Sequence, residues 1–282
     1  AVNFGGTFTL ANLGTFTRQN GTAGSVTLTG TLNNTGTTLT LNTASNGFGS
    51  WGLTAGSRIN GGTITAFNGA YLSAYTNTPA TLDAVTISTG TELFVAGQVT
   101  IINGLTLNGK ITADWWPSQR YAELFFTGTQ TVSGSGEINI TQGGSRVYLN
   151  QSNMTLTLNG VTVRGIGGIV NTNGTITGTA LVNNGTIRAD ATGTLTVGSN
   201  NFTNTSSGLL QVTAGGAILD VAPTTFTNQA ALTLASGTFS INAPTWSNTG
   251  SIHSTGIAVN FGGTFTLANL GTFTRQNGTA GS

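Results

Sequence analysis

Few residues in this chain could do chemistry: it holds seven carboxylates, one histidine and no cysteine. Acid–base catalysis on a glycan needs two carboxylates on one surface, and Ca²⁺ needs several oxygen ligands together. Asn184 and Asn204 occupy equivalent positions in a sequence repeat that is described below. Asp190 comes six positions after Asn184, whereas Asp220 comes sixteen positions after Asn204. The two carboxylates are therefore predicted to lie on different faces of the molecule. His253 belongs to no serine–histidine–aspartate or cysteine–histidine pattern. We therefore expect no catalytic residue, no metal ligands and no cofactor.

One segment, residues 114–123, concentrates the unusual side chains, with two of the four tryptophans and three charges in ten positions. Exposed aromatic rings beside an arginine are typical of contact sites for sugars or protein partners. The alternative is that these rings fold back and cover the flank of the molecule. The residues we expect to make lateral contacts or to bind glycan are Trp115, Trp116, Arg120 and Tyr121.

The charge balance argues against several classes of partner. Only 5% of the 282 residues are charged, and the formal net charge is +1. A nearly neutral chain with a single lysine has no electrostatic footprint for nucleic acid or anionic lipid. No apolar run reaches the length of about 18 residues that a membrane-spanning helix needs. The lack of cysteine and the single methionine suit an oxidising exterior, so we expect an extracellular or cell-surface location.

The elements that must position these residues are predicted to be short strands. Val26, Leu28 and Leu32 alternate with threonines, and the same period of two recurs along the chain between Gly, Asn and Thr residues. A β-branched threonine on the outer face favours a strand without requiring burial. The pattern predicts an all-β protein.

The strands recur at a nearly constant spacing. An apolar residue, one spacer and an asparagine return at sequence offsets of 20, 24, 20 and 21. The markers are Val182-x-Asn184, Phe202-x-Asn204, Phe226-x-Asn228, Trp246-x-Asn248 and Leu267-x-Asn269. A further strand follows a glycine midway, as after Gly193, which makes three short strands in each interval between markers. This spacing predicts a β-solenoid, in which each rung stacks on the next.

Several details of the solenoid follow from the marker register. We expect about 12 rungs in residues 1–257 and one interior column of Phe202, Phe226, Trp246 and Leu267. The marker asparagines should occupy turns and hydrogen-bond to their copies in neighbouring rungs. Residues 42–81 and 110–126 interrupt the pattern, and we expect both to be loops that leave a corner.

Residues 1–25 return without a substitution at residues 258–282, an offset of 257 in sequence number. The duplication is either a repeated terminal coil or the sign of a longer tandem array, and complete identity between the copies favours the array. We expect residues 1–257 to be one repeat unit and residues 258–282 to begin the next. Neither terminus supplies an obvious cap, which also suits a continuous array, whether its units are joined covalently or by contact between chains.

The phrases NGLTLNGKI, LNGVTV and NNGTIRADATGTLTV resemble the β-strand-repeat surface proteins of bacteria, namely autotransporter passengers and filamentous-haemagglutinin-like adhesins. The resemblance covers most of the chain and is one of style. It implies a right-handed parallel β-helix, export from the cell, and an adhesive or structural role without a catalytic motif. The long identical repeat departs from a single passenger and points to a fibre.

Three functions remain open from the sequence. The first is a structural subunit of an extracellular filament, sheath or surface fibre, whose partner is the next copy of itself, end to end and by lateral bundling. The second is an adhesin stalk that binds glycan or a neighbouring cell through the segment 114–123. The third, a carbohydrate-active enzyme, rests on fold analogy alone.

Overall fold

The computed structural model describes residues 2–14, 16, 26–44, 47–115 and 121–276. In chain order the first strands are β1 (Val2–Phe4), β2 (Thr7–Thr9), β3 (Val26–Leu28), β4 (Thr31–Asn33), β5 (Thr38–Asn42), β6 (Trp51–Leu53), β7 (Arg58–Asn60), β8 (Thr63–Phe67), β9 (Leu72–Ala74), β10 (Ala80–Ile87), β11 (Glu92–Val95), β12 (Gln98–Leu107), β13 (Lys110–Ala113), β14 (Glu123–Phe126), β15 (Gln130–Ser133) and β16 (Glu137–Ile140). The remaining strands are β17 (Arg146–Leu149), β18 (Thr155–Gly165), β19 (Gly167–Asn171), β20 (Ala180–Ala189), β21 (Gly193–Gly198), β22 (Asn201–Asn204), β23 (Leu209–Val212), β24 (Ala217–Val221), β25 (Thr225–Asn228), β26 (Ala231–Leu234), β27 (Thr238–Ile241), β28 (Thr245–Asn248), β29 (Ser251–Thr255), β30 (Ala258–Phe261) and β31 (Thr272–Gln276). A 3₁₀ helix at Leu10–Leu13 and a one-turn α-helix at Leu267–Leu270 are the helical elements of the described residues.

The strands stack in parallel along three faces, and one circuit of the chain around the three faces is a rung. Face 1 contains β1, β3, β6, β9, β11, β13, β16, the second halves of β18 and β20, and β23. It continues as a separate hydrogen-bonded sheet of β26, β29 and β31. Face 2 contains β2, β4, β7, the first halves of β10 and β12, then β14, β17, β19, β21, β24, β27 and β30. Face 3 contains β5, β8, the second halves of β10 and β12, β15, the first halves of β18 and β20, and β22, β25 and β28. The predicted β-solenoid with three short strands in each rung is confirmed.

The alternating sequence produces this shape because every second side chain of a strand points inward. In β20 the burial alternates at every position from Ala180 to Ala189, and β10, β12 and β18 alternate in the same way except for one break in each. The inward residues of successive rungs lie in register, so they form continuous columns along the axis. The core is therefore a long apolar rod inside three polar faces.

The interior column of face 3 confirms three of its four predicted members. Phe202, Phe226 and Trp246 are buried and lie in register, and the first two rings stack with centroids 5.2 Å apart. Leu267 is the error, because it is 85% exposed on the one-turn helix. Phe265 takes the place next to Trp246, with ring centroids 4.7 Å apart.

The predicted rung count was slightly too high. The chain completes eleven rungs and one further face between Val2–Phe4 and Ala258–Phe261, so an average rung is longer than the marker spacing indicates. The rungs differ in length because their corners differ. On face 1, Leu93 pairs with Ile111 and Ile111 pairs with Ile138, and the second of these two circuits is clearly the longer in sequence.

One of the two expected loops is wrong, and the other is shorter than expected. Residues 42–81 contain the ordinary strands β6, β7, β8 and β9, with buried Trp51 and Leu72 in the core. Their irregular appearance comes from longer corners between those strands. In the second stretch, β13 and β14 hold their places on faces 1 and 2, so the loop is not expected to extend beyond residues 114–122, of which residues 116–120 lie outside the described residues.

Candidate functional site

Exposed aromatic rings gather at the corner between faces 1 and 2, which we call the aromatic corner and define by Tyr75, Trp115 and Tyr121. Tyr75 directly follows β9, Trp115 follows β13 by two positions, and Tyr121 precedes β14 by two. Their exposed fractions are 45%, 44% and 52%. Phe94 on face 1 contacts Tyr75, with ring centroids 5.7 Å apart. The chain therefore presents large rings to solvent on two rungs of this corner, the rung of β9 and the rung of β13.

Tyr121 is partly fixed by the rung that follows. Its ring lies so close to Gly144 that a Cβ on that glycine would come within 2.4 Å of three ring atoms. A glycine at this corner is thus needed for the ring to lie flat against the backbone. One side of the Tyr121 ring therefore covers the backbone at Gly144, while about half of the residue remains exposed to solvent.

Asp114 anchors the other end of the segment. Its carboxylate Oδ1 accepts hydrogen bonds from the Trp115 N–H at 2.7 Å and from Gln142 Nε2 at 3.2 Å. Burial alone raises the pKa of Asp114, but hydrogen bonds from Thr141, the Trp115 backbone and Gln142 outweigh burial, and the pKa is lowered. The start of the loop is therefore tied to the corner of the next rung by an ionised carboxylate.

The four predicted contact residues are only partly placed. Trp115 and Tyr121 lie at the two ends of the loop, and both are exposed. Trp116 and Arg120 fall outside the described residues. Whether all four side chains form one surface therefore stays a prediction.

A pair of rings on face 2 was missed by the sequence reasoning. Phe125 and Tyr148 point outward on adjacent rungs and stack, with centroids 5.3 Å apart and planes 15° from parallel. Burial and then the charge of Glu123 raise the pKa of Tyr148, while Arg146 lowers it. The available signal was the alternation of ELFF and RVYL, which puts the first phenylalanine of one strand and the tyrosine of the other on the outer side.

Charged side chains of neighbouring rungs form ion pairs along face 1. Arg164 contacts Glu137 at 3.6 Å and Asp190 at 2.6 Å, and the hydrogen bond to Asp190 raises the pKa of the arginine above its ordinary value. Lys110 lies 3.8 Å from Glu92. Such partly exposed pairs add little stability. In the part of the chain that the structure describes, no three His, Cys, Asp or Glu side chains are grouped so that they could hold a metal ion.

A ladder of buried asparagines runs along the corner between faces 3 and 1. Each amide donates to the Oδ1 of the next member, from Asn183 to Asn204, Asn228 and Asn248, at 2.7–2.8 Å. The predicted ladder is confirmed at three positions, but its first member is Asn183 and not Asn184. The register pairs Asn183 with Asn204 and buries Leu181 in place of Val182. The ladder has a structural role, because it satisfies polar groups that would otherwise be buried without partners.

The two copies of the repeated segment adopt a similar local conformation. In each, a first strand leads through a glycine with positive φ to a short helical turn. The preceding threonine has φ and ψ of −110° and 167° in the first copy and −106° and 167° in the second. The same Thr–Asn capping box closes both turns, at Thr9–Asn12 and at Thr266–Asn269. The described parts of the two copies therefore share the glycine turn and the capping box. They differ in that Thr7–Thr9 forms a strand whereas its equivalent has only the Thr264 bridge, and in that the helical turn is 3₁₀ in the first copy and α in the second.

The two copies differ in which edge of their first strand is hydrogen-bonded to a neighbouring strand. In the first copy, Val2–Phe4 pairs with the following rung through Val26–Leu28. In the second copy, Ala258–Phe261 pairs with the preceding rung through Thr238–Ile241. The two views are complementary, since each shows a different edge of the same strand satisfied.

Comparison with known proteins does not assign the chain to a class: no family model matches it, and neither a curated protein nor a solved structure is similar enough to count as a match. Among the described residues, no helix has the length and apolar character needed to cross a membrane.

Proposed function

We propose that this protein is a structural subunit of an extracellular bacterial filament, sheath or surface fibre in which β-solenoid repeats continue end to end. The observation that carries the proposal is the pair of identical segments. Both copies keep the same first strand, and between them both edges of that strand are hydrogen-bonded. In the first copy the strand pairs with Val26–Leu28 of the following rung, and in the second copy it pairs with Thr238–Ile241 of the preceding rung. One copy can therefore be joined on both sides at once, as a continuous array requires.

The rest of the molecule is consistent with a structural role. Its buried side chains form columns along one axis, and its buried asparagines hydrogen-bond from rung to rung. A solenoid becomes longer as rungs are added, while its cross-section stays the same. The proposal assigns the chain no catalytic activity, no metal and no cofactor.

The decisive experiment measures mass under full denaturation, using material from the native source. A covalent array predicts species far above the 28.5 kDa of this chain. Filaments that dissolve into chains of that single-unit mass would indicate joints made by contact between separate chains. A soluble protein of single-unit mass that never assembles under any condition would contradict the filament.

A second candidate function, an adhesin stalk, is favoured by the aromatic corner. Trp115 and Tyr121 expose large rings next to a tied loop, and sugars stack on such rings. Replacing Trp115 and Trp116 by Ala should reduce glycan binding or filament bundling while the far-UV circular dichroism stays unchanged. Phe67→Ala, at an exposed ring on face 3, is the matched control. If glycan binding and bundling are unchanged in the tryptophan variant, the adhesin hypothesis is contradicted, and the aromatic rings only cover the flank of the solenoid.

A further inference from the structure

The repeated segment occupies different faces in its two copies. Val2–Phe4 lies on face 1, beneath Val26–Leu28. Ala258–Phe261, the same sequence, lies on face 2, on top of Thr238–Ile241. Its later part, Thr272–Gln276, then lies on face 1, on top of Ser251–Thr255. The repeat is therefore eleven rungs and one extra face, and not a whole number of rungs.

The interior of the last described rung is open at the same place. A cavity of about 180 Å³ lies there, and its apolar lining is Ile257, Val259, Phe261 and Phe273. Trp246 packs against Phe261 from below, with ring centroids 5.7 Å apart. The side of Phe261 that faces away from Trp246 is left for a further layer.

The first copy shows what covers these side chains. Val2, the equivalent of Val259, is paired with Val26. Phe4, the equivalent of Phe261, contacts Trp51 at a centroid distance of 5.3 Å. Phe16, the equivalent of Phe273, contacts Phe48 at 5.7 Å. The Phe4–Phe16 contact is edge-on at 5.3 Å, and its counterpart, Phe261–Phe273, repeats it at 5.3 Å.

We propose that residues 26–44 and 47–53 of a second copy of this repeat cover the open rung, and that each unit is shifted by one face relative to the unit before it. The occupant is the rung that already covers the same side chains in the first copy. Trp51 and Phe48 of the second unit close the cavity, and one aromatic core then runs through the joint from Trp246. This inference rests on the proposed end-to-end continuation and adds its register.

The shift has a consequence for whatever the outer surface carries. A residue on face 1 of one unit lies on face 2 of the next and on face 3 of the one after. Successive aromatic corners are about 54 Å apart along the axis at ~4.8 Å per rung, and a corner returns to the same face after three units, or about 160 Å. A fibre built in this way presents its lateral contacts on all three sides.

The test uses a chain of two units, residues 1–257 followed directly by residues 1–282, with one pair of cysteines per variant. The overlap strand is probed on both of its edges. The lower variant joins Ser240→Cys of the first unit to Asn3→Cys of the second unit, because Asn3 of the second unit takes the place of Asn260, which pairs with Ser240. The upper variant joins Asn3→Cys to Thr27→Cys, both in the second unit, because Asn3 and Thr27 are direct neighbours in the first copy.

A competing variant joins Thr17→Cys, which takes the place of Thr274, to Thr27→Cys, both in the second unit; these two positions would be neighbours only if faces were conserved across the joint. Asn3→Cys with Thr27→Cys in a single unit gives the reference rate of disulfide formation, since neighbouring strands meet the required Cα distance.

The one-face shift predicts that the lower and upper variants both cross-link at a rate close to the reference, and at least tenfold faster than the competing variant. Faster cross-linking of the competing variant than of the upper one would overturn the shift but leave the end-to-end filament intact. If the lower variant fails to cross-link and the two units unfold in separate transitions, the end-to-end continuation fails, and the proposed function fails with it.

Discussion

The asparagine ladder allows a quantitative prediction for Asn228→Ala. Asn228 donates to Ala230 O at 2.8 Å and to Asn248 Oδ1 at 2.7 Å, and it accepts from Asn204 Nδ2 at 2.8 Å. Its removal leaves Asn248 Oδ1 buried without its donor, whereas Asn204 keeps a bond to Gly208 O at 3.3 Å. An orphaned buried group costs about 1–3 kcal/mol and each other lost bond about 0.5–1.5 kcal/mol. We expect a loss of roughly 3 kcal/mol in the free energy of unfolding, which lowers the Tm by roughly 5 °C for a chain of this length.

The assay is thermal and denaturant unfolding followed by far-UV circular dichroism. Asn242→Ala is the matched control, because Asn242 is exposed and makes one outward hydrogen bond, to Asp220. The control should lose less than about 1 kcal/mol. If Asn228→Ala is no less stable than Asn242→Ala, the ladder does not stabilise the corner, and the reasoning from buried hydrogen bonds is refuted.

Three further perturbations test other parts of the fold. Phe226→Ala should cost about 3–5 kcal/mol in the free energy of unfolding, since the ring is buried in the face 3 column; a loss under about 1 kcal/mol in denaturant titration would contradict that packing. The lowered pKa of Asp114 means that its contribution to stability is present above the usual aspartate pKa of about 3.9 and is lost as the pH falls through the lower folded value. The variant D114N should therefore lose less stability on acidification than the parent, and equal acid-side slopes would show that this carboxylate does not matter. Gly144→Ala should displace the Tyr121 ring, raising its exposure to iodination, whereas Gly143→Ala, where a Cβ meets nothing within 4 Å, should leave the ring unchanged.

The fold was predictable from the sequence because its strongest signals are local. Strand alternation and turn residues act within a few positions, and their recurrence defines the stack of rungs. The register of one strand was harder. In the run Leu181–Val182–Asn183–Asn184, both adjacent asparagines fit the turn, and a one-residue slip exchanges the inner and outer faces. The choice of Asn183 is made by neighbours far away in sequence, since Leu181 must continue the column from Leu156 to Phe202.

The repeated segment shows a second limit of local reasoning. Leu267 and Asn269 have the spacing of a marker, yet the asparagine caps a helical turn through Thr266 and the leucine points to solvent. Phe265 is two positions earlier and reaches Trp246 in the core. The spacing alone does not distinguish a strand end from a capping box, because both place a polar residue two positions after an apolar one. The ring pair Phe125–Tyr148 was missed for a similar reason, since it needs the partner strand to be known.

The break in face 1 sets where the molecule should yield under tension. Neighbouring rungs are joined by hydrogen bonds parallel to the axis, so a pulling force along the fibre loads the rung interfaces in series. Between the rung of β23, β24 and β25 and the rung of β26, β27 and β28, strand ladders join faces 2 and 3, but in the described residues none joins β23 to β26. That interface carries on two ladders the load that the interface before it carries on three. The interface after it is also incomplete, because it has the ladders β26–β29 and β27–β30 but only the single Thr245–Thr264 bridge on face 3. In the proposed fibre this pair of weaker interfaces would recur once in every repeat, so a stretched fibre would open at evenly spaced points and lengthen in steps, which protects the rest of each unit from rupture.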